Sequence, residues 1–362
     1  MESVFPIGFP LPTAFYLTLY VLTFAVHHAF MHYVAAGSLY LSYATIFGVR
    51  KGSEDSPGAI EPLIRDWMPF LLSAAITAGV APLLFVQIVY PRHFYTANLL
   101  LSWRWMLLVP VLIAAFYLLY LIKSSMLAKR SWLVNALVVA GTSGCFLFVG
   151  FCWTANHLLA NNEGQWPDVY ASNAIPLPAM AILLRTLVWV GGSFATLATI
   201  LGWQLHFTQQ DRSDDATSGD VRRLALMSIG GLSVAAIAAL AYVFVLDETE
   251  RGRVLGAFAV PYLVVAIGGV MGQIRLWVML YRHSQLSAGW LSMVSLCCAL
   301  TLVATSVLRE SIRLSAIDVS QLYARHADAA EIEGLWLFLA FAVINAGLIA
   351  QCIRLVRRGL AS

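Results

Sequence analysis

Charge is scarce in this chain. Of 362 residues only 11% are Asp, Glu, Lys or Arg, whereas 60% are hydrophobic, and the mean hydropathy is +0.78. A soluble protein cannot cover its surface with so little charge, but a chain solvated mainly by lipid can. The sequence therefore reads as a polytopic membrane protein, which excludes most soluble enzyme classes. A net charge of +3 is too small for the electrostatic footprint of a nucleic-acid binder. The five cysteines form no CxxC or CxxCH pair, which excludes covalent c-type haem attachment and speaks against a disulfide framework. Between Met1 and Leu11 the only charged side chain is Glu2; without a basic n-region, the first apolar run is expected to stay in the mature protein. HExxH, P-loop and nucleophile-elbow motifs are all lacking. No expected span before the last carries a central Asp or Glu, so a relay of carboxylates for pumping is not expected.

What is present is a series of apolar runs. A bilayer crossing needs roughly 20 apolar residues, and nine such runs occur, at about 15–47, 67–90, 101–122, 132–156, 178–206, 223–246, 255–281, 287–308 and 334–356. They read as helices, because an open sheet edge in lipid leaves backbone groups unpaired. The expected fold class is all-α, a polytopic bundle of nine transmembrane helices. Its expected organisation is a first bundle over 1–206, an acidic, flexible loop over 207–222 and a second bundle over 223–362. Pro82, Pro110 and Pro261 fall inside runs. Gly191-Gly192, Gly230-Gly231 and Gly268-x-x-x-Gly272 read as close-packing faces.

Thirteen Lys and Arg residues fall in one set of connections, among them Arg50, Lys129 and Arg358, and eight in the other. The positive-inside rule then places the N-terminus in the periplasm and the C-terminus in the cytoplasm of a bacterial inner membrane. The connections are short, the longest exterior ones being about 157–177 and 309–333, so any chemistry belongs to the bundle or to a partner.

The histidines are distributed unevenly in depth. His28 and His32 share a face of the first helix, and the 22 residues from His28 to Arg50 span roughly 33 Å. That places His28 near the outer hydrocarbon boundary and His32 about a turn deeper. His157, closing the fourth span, and His93, in the loop after the second, sit at similar depth; His27 faces away, as a packing or lipid-boundary residue. An intramembrane histidine is a functional hypothesis by default, and axial ligation of a b-type haem is a common use. Hydrogen bonding between helices is the plain alternative. On these grounds His28, His32 and His157 are the candidate cofactor residues, with His28 and His157 the candidate iron ligands. Haem propionates need cations at the same surface, and Arg104, Arg185, Arg309 and Arg313 lie there; as snorkelling arginines they would need no ligand. The segment from Asn156 through Glu163 to Pro167 could cap a haem edge or a quinone, or simply connect helices.

Several short motifs resemble the large subunit of cytochrome bd-type quinol oxidases. His28 precedes Gly37 by nine residues, Gly79-Val80-Ala81-Pro82 leads to Phe85-Val86-Gln87, and Trp132-Leu133-Val134 opens a span followed by an Asn-rich segment with Trp166-Pro167. Gly192 and Ile200-Leu201-Gly202 continue the likeness, which covers about 15–206. The resemblance implies nine spans, an exterior N-terminus and a haem-ligating His28. The chain departs from that family in three places. Arg185 to Trp189 has no second histidine ligand, Ser102 to Lys123 has no glutamate, and the quinol loop is reduced to about 247–254. Oxygen reduction by this chain alone is therefore not expected. The stretches APLLFVQIVYPRHFYT and VLRESIRLSAI are also similar to bd-like membrane proteins that accompany c-type cytochromes.

These readings converge on one expectation. The chain would be a membrane subunit of a respiratory electron-transfer complex, holding zero or one haem b. It would pass electrons between a quinol, menaquinol or ubiquinol, and a periplasmic c-type cytochrome beside other membrane subunits. A haem-free scaffold anchoring a redox partner is the alternative. A permease is the third reading, and no repeat between the halves supports it.

Overall fold

The computed structural model describes residues 9–47, 58–124, 126–127, 130–172, 179–208, 214–315, 317–331 and scattered positions from 336 to 354. Among these residues the chain is helical and has no strand. The helices are α1 (Leu11–Ile46), α2 (Ile60–Val89), α3 (Pro91–Leu101), α4 (Trp103–Met106), α5 (Leu108–Lys123), α6 (Trp132–Ala160), α7 (Trp166–Ser172), α8 (Ala179–Thr208), α9 (Asp214–Val245), α10 (Glu248–Leu255), α11 (Val260–His283), α12 (Ala288–Ser315) and α13 (Val319–Glu331).

Among the described residues, eight helical segments are long and apolar enough to cross a membrane: α1, α2, α4 with α5, α6, α8, α9, α11 and α12. This fits a multi-pass membrane protein. About half of the expected ninth span, 334–356, lies outside the described residues, as do Arg50, Lys51, Lys129, Arg212, Arg357 and Arg358 of the charge pattern. Large apolar side chains such as Val109, Ile113, Ile237 and Val264 point outward, where lipid rather than water would solvate them.

The helices pack as antiparallel neighbours, most extensively α1 on α2, α8 on α9 and α11 on α12. One apolar cluster draws on both sides of the 207–222 segment, joining Tyr33, Met68 and Leu201 to Trp277 and Leu291. Part of that segment is itself helical, since α9 begins at Asp214. Asp220 is 1% exposed and accepts the Ala59 N–H at 2.8 Å, tying the start of α9 to the start of α2. A second cluster joins Leu17, Val89, Phe258, Val307 and Leu322 where α1 and α11 begin and α2 and α12 end. We call this the His157 end.

The connections expected at that end are largely helical. Segment 309–333 contains the last turns of α12 and all of α13, 247–254 is mostly α10, and His93 sits on α3. Ser102, at φ 52°, turns the chain from α3 into the third span. Pro261 falls in the first turn of α11, where no N–H partner is lost, and Pro82 lies within α2. Of the expected packing glycines, Gly191 and Gly231 meet backbone to backbone between α8 and α9, whereas Gly192, Gly230 and Gly268 face open space. Gly272, as expected, and Gly269 in place of Gly268 let α11 approach Cys297 and Thr301 of α12.

Candidate functional site

A cluster of histidines and arginines in the bundle interior lies at the His157 end, contributed by α1, α6, α8 and α12. On α1 the i, i+4 spacing stacks His28 on His32, with ring centroids 5.2 Å apart and planes 13° from parallel. Phe24 covers the other side of His28 at 4.0 Å. His28 is half-buried, and no hydrogen bond holds it among the described residues. His32 is 4% exposed; its Nδ1 lies 3.0 Å from the Thr196 hydroxyl and its Nε2 has no partner. The Thr196 hydroxyl also reaches Gly192 O at 3.4 Å and Cys298 Sγ at 3.6 Å. In the tautomer in which His32 Nδ1 donates to Thr196, Nε2 keeps a free lone pair. His27 takes the packing role expected of it: Nδ1 donates to Ala75 O at 2.9 Å, and the ring lies against Gly79 of α2.

His157 is fully buried. Arg185 donates to its Nδ1 at 3.0 Å. A guanidinium can only donate, so Nδ1 is the acceptor and the proton of the neutral ring sits on Nε2. That N–H has no partner. The geometry therefore gives His157 a donor's part rather than the iron ligand's part expected from its position.

Arg309 and Arg313 lie one turn apart on α12, and both reach the Tyr20 hydroxyl, at 3.1 and 3.3 Å. Between them Glu310, fully buried, pairs with Arg309 at 2.8 Å and Arg313 at 3.5 Å. Arg309 also lies over the Phe24 ring at 4.6 Å and Arg313 over the Tyr90 ring at 4.7 Å. Arg185 and Arg309 are close enough to interact electrostatically. Of the four expected arginines only Arg104 stands apart: it lies on α4 over the Trp103 ring at 4.8 Å.

Glu310, Tyr20 and Tyr90 were missed by sequence reasoning, because the eighth apolar run seemed to end at 308. The signal available was the spacing Arg309, Glu310, Arg313, an acid between two cations on one helical face. Outside this cluster a cavity of about 240 Å³ opens beside Tyr90, Arg92, His93, Glu163, Asp318 and Arg325. There Glu163 pairs with Arg92 at 2.9 Å and His93 at 2.8 Å. Burial lowers the pKa of His93, with Glu163 opposing the shift.

A b-type haem needs an imidazole nitrogen with a free lone pair. His28 and His32 each fit single axial ligation, and the Thr196 hydroxyl behind His32 is the outer partner such a ligand uses. The two cannot clasp one iron between them, because their stacked rings bring faces together instead of opposing nitrogens. No group of three or more His, Cys, Asp or Glu side chains able to hold a metal ion occurs among the described residues. Comparison with protein-family models, curated proteins and solved structures finds no match.

Proposed function

We propose that the chain is a membrane subunit of a bacterial respiratory electron-transfer complex, bd-like in plan and not an oxygen reductase by itself. One observation carries the reading: two stacked imidazoles, His28 and His32, project from a membrane-spanning helix, each with a ring nitrogen that makes no hydrogen bond among the described residues. Such groups are expensive in lipid and are kept for function. In this reading His28 or His32 holds one b-type haem, Thr196 orients His32, and Phe24 shields the His28 face. When bound, that haem would carry electrons between a quinol in the bilayer, menaquinol or ubiquinol, and a c-type cytochrome at the periplasmic surface. The His157 end would then face the periplasm, with the N-terminus on that side and the C-terminus in the cytoplasm of the inner membrane. Other membrane subunits would complete the complex.

The test is a pyridine-haemochrome assay and optical spectrum of the protein purified with its copurifying subunits. We expect a b-type band that is lost in His28→Ala or His32→Ala while the complex stays assembled. A wild-type complex whose only haem is c-type would reject this reading and leave the haem-free anchor. The contacts of Arg309 with Glu310 and Tyr20 are also those of a purely structural clasp, which is what that second reading requires.

A further inference from the structure

The charges at the His157 end do not balance. Arg185, Arg309 and Arg313 face one carboxylate within pairing distance, Glu310, an excess of two positive charges inside the bundle. Arg185 makes no ion pair among the described residues; it lies over the Tyr242 ring at 5.7 Å, interacts with the neutral Tyr242 hydroxyl and donates to a neutral imidazole. Glu250 of α10 interacts with it electrostatically without forming an ion pair. Aromatic faces offset part of the excess, since a cation over a ring gains about 0.5–2 kcal/mol. An unpaired charge withdrawn from water costs several kcal/mol. The rings are therefore too weak to replace a counter-ion.

A second observation, independent of charge, points to the same place. The Nε2–H of His157 is fully buried and has no acceptor within full hydrogen-bonding distance; only the Arg309 main chain interacts with it, at longer reach, and a buried donor left without a good acceptor costs about 1–3 kcal/mol. The ring lies beside the main chain of Arg309 and under Arg185. Arg309 keeps 18% of its side chain accessible, so the cluster can be approached. A guanidinium free of any carboxylate, an imidazole N–H without a good acceptor and a second, partly open guanidinium are the groups that recognise an oxyanion.

We propose that Arg185, His157 and Arg309 form a binding site for the phosphate of an anionic ligand, either the headgroup of an acidic phospholipid or free inorganic phosphate. Arg185 supplies the charge, His157 a fixed N–H donor, and Arg309 the second cation at the entrance. The site stands on charge balance and hydrogen bonding alone and does not rest on the electron-transfer reading.

The test is native mass spectrometry of the full chain in a neutral detergent, titrated with phosphatidylglycerol, phosphatidylcholine or inorganic phosphate. We expect one phosphatidylglycerol to bind about tenfold more tightly than phosphatidylcholine, a preference of about 1.4 kcal/mol. Arg185→Gln should lose that preference, and Arg185→Lys should keep most of it. Competition by inorganic phosphate would identify free phosphate as a ligand; its failure to compete would identify the lipid headgroup. Should Arg185→Gln not fold, His157→Ala removes the N–H donor together with the acceptor that holds Arg185 and should weaken binding severalfold, with His157→Gln restoring part of it. Equal binding of both lipids without phosphate binding, or an unchanged preference in both Arg185→Gln and His157→Ala, would overturn the proposal.

Discussion

Arg309 and Arg313 converge on a single acceptor, the hydroxyl of Tyr20, at 3.1 and 3.3 Å. One phenolic oxygen thus joins the eighth apolar helix to the first, and Glu310 beneath it supplies the compensating charge. Tyr20→Phe leaves two guanidiniums short of an acceptor, and we expect it to destabilise the folded chain by about 1–3 kcal/mol. Glu310→Gln removes the charge itself and should cost more, about 3–5 kcal/mol. Thermal unfolding in one detergent measures both, and a Glu310→Gln variant as stable as wild type would mean the clasp carries no stability.

Glycine contacts between helices separate cleanly by position. A Cβ on Gly191 would sit 2.6 Å from Gly231 O, so Gly191→Ala must push α8 from α9. We expect a loss of about 1–3 kcal/mol. Gly192→Ala and Gly230→Ala enter open space and should stay within about 0.5 kcal/mol of wild type. The same unfolding assay distinguishes them, and equal losses at all three sites would contradict the contact.

The docking of α13 should depend on pH. His326 is buried against α1, 3.0 Å from the Thr13 hydroxyl and 5.3 Å from the Tyr16 ring, and burial lowers its pKa from 6.5 to about 4. The undocked ring takes up its proton first. Docking is therefore complete above about pH 6.5 and weakens as pH falls toward 4, by up to about 1.4 kcal/mol per unit. Hydrogen exchange over 319–331 reads this directly, and His326→Gln should flatten the dependence.

Thr196 has a testable part in the cofactor reading. Thr196→Val removes the group that fixes the His32 ring while changing little volume. If His32 is the ligand, haem retention in the purified complex should fall about 10- to 100-fold. Unchanged retention in Thr196→Val, together with loss in His28→Ala, would move the ligand to His28.

The eight apolar helices were legible because each is a run of lipid-compatible side chains, a property of local sequence. Their ends were not. Glu310 and Arg313 look like surface residues in a short window, yet they are buried, because Tyr20 and Tyr90 come to them from far along the chain. Asp220 reads as part of a flexible loop until the Ala59 N–H is placed beside it. For the candidate site, depth alone grouped His28, His157, Arg185, Arg309 and Arg313, which the structure also places near one another. It could not reveal hydrogen-bond direction, so only the Arg185 contact shows that His157 donates, and nothing in sequence depth separates Arg104 from the others.

The Tyr20 contact also has a consequence in time. Its partners lie 289 and 293 positions later in the chain. At roughly 5–20 residues per second, about 15–60 s of synthesis separate the emergence of the hydroxyl from that of Arg309. For that interval the two imidazoles of the first helix stand in a half-built bundle whose wall does not yet exist. Any cofactor or lipid destined for this end must enter before the eighth helix arrives or wait for it, so the clasp closes as one of the late steps of biogenesis.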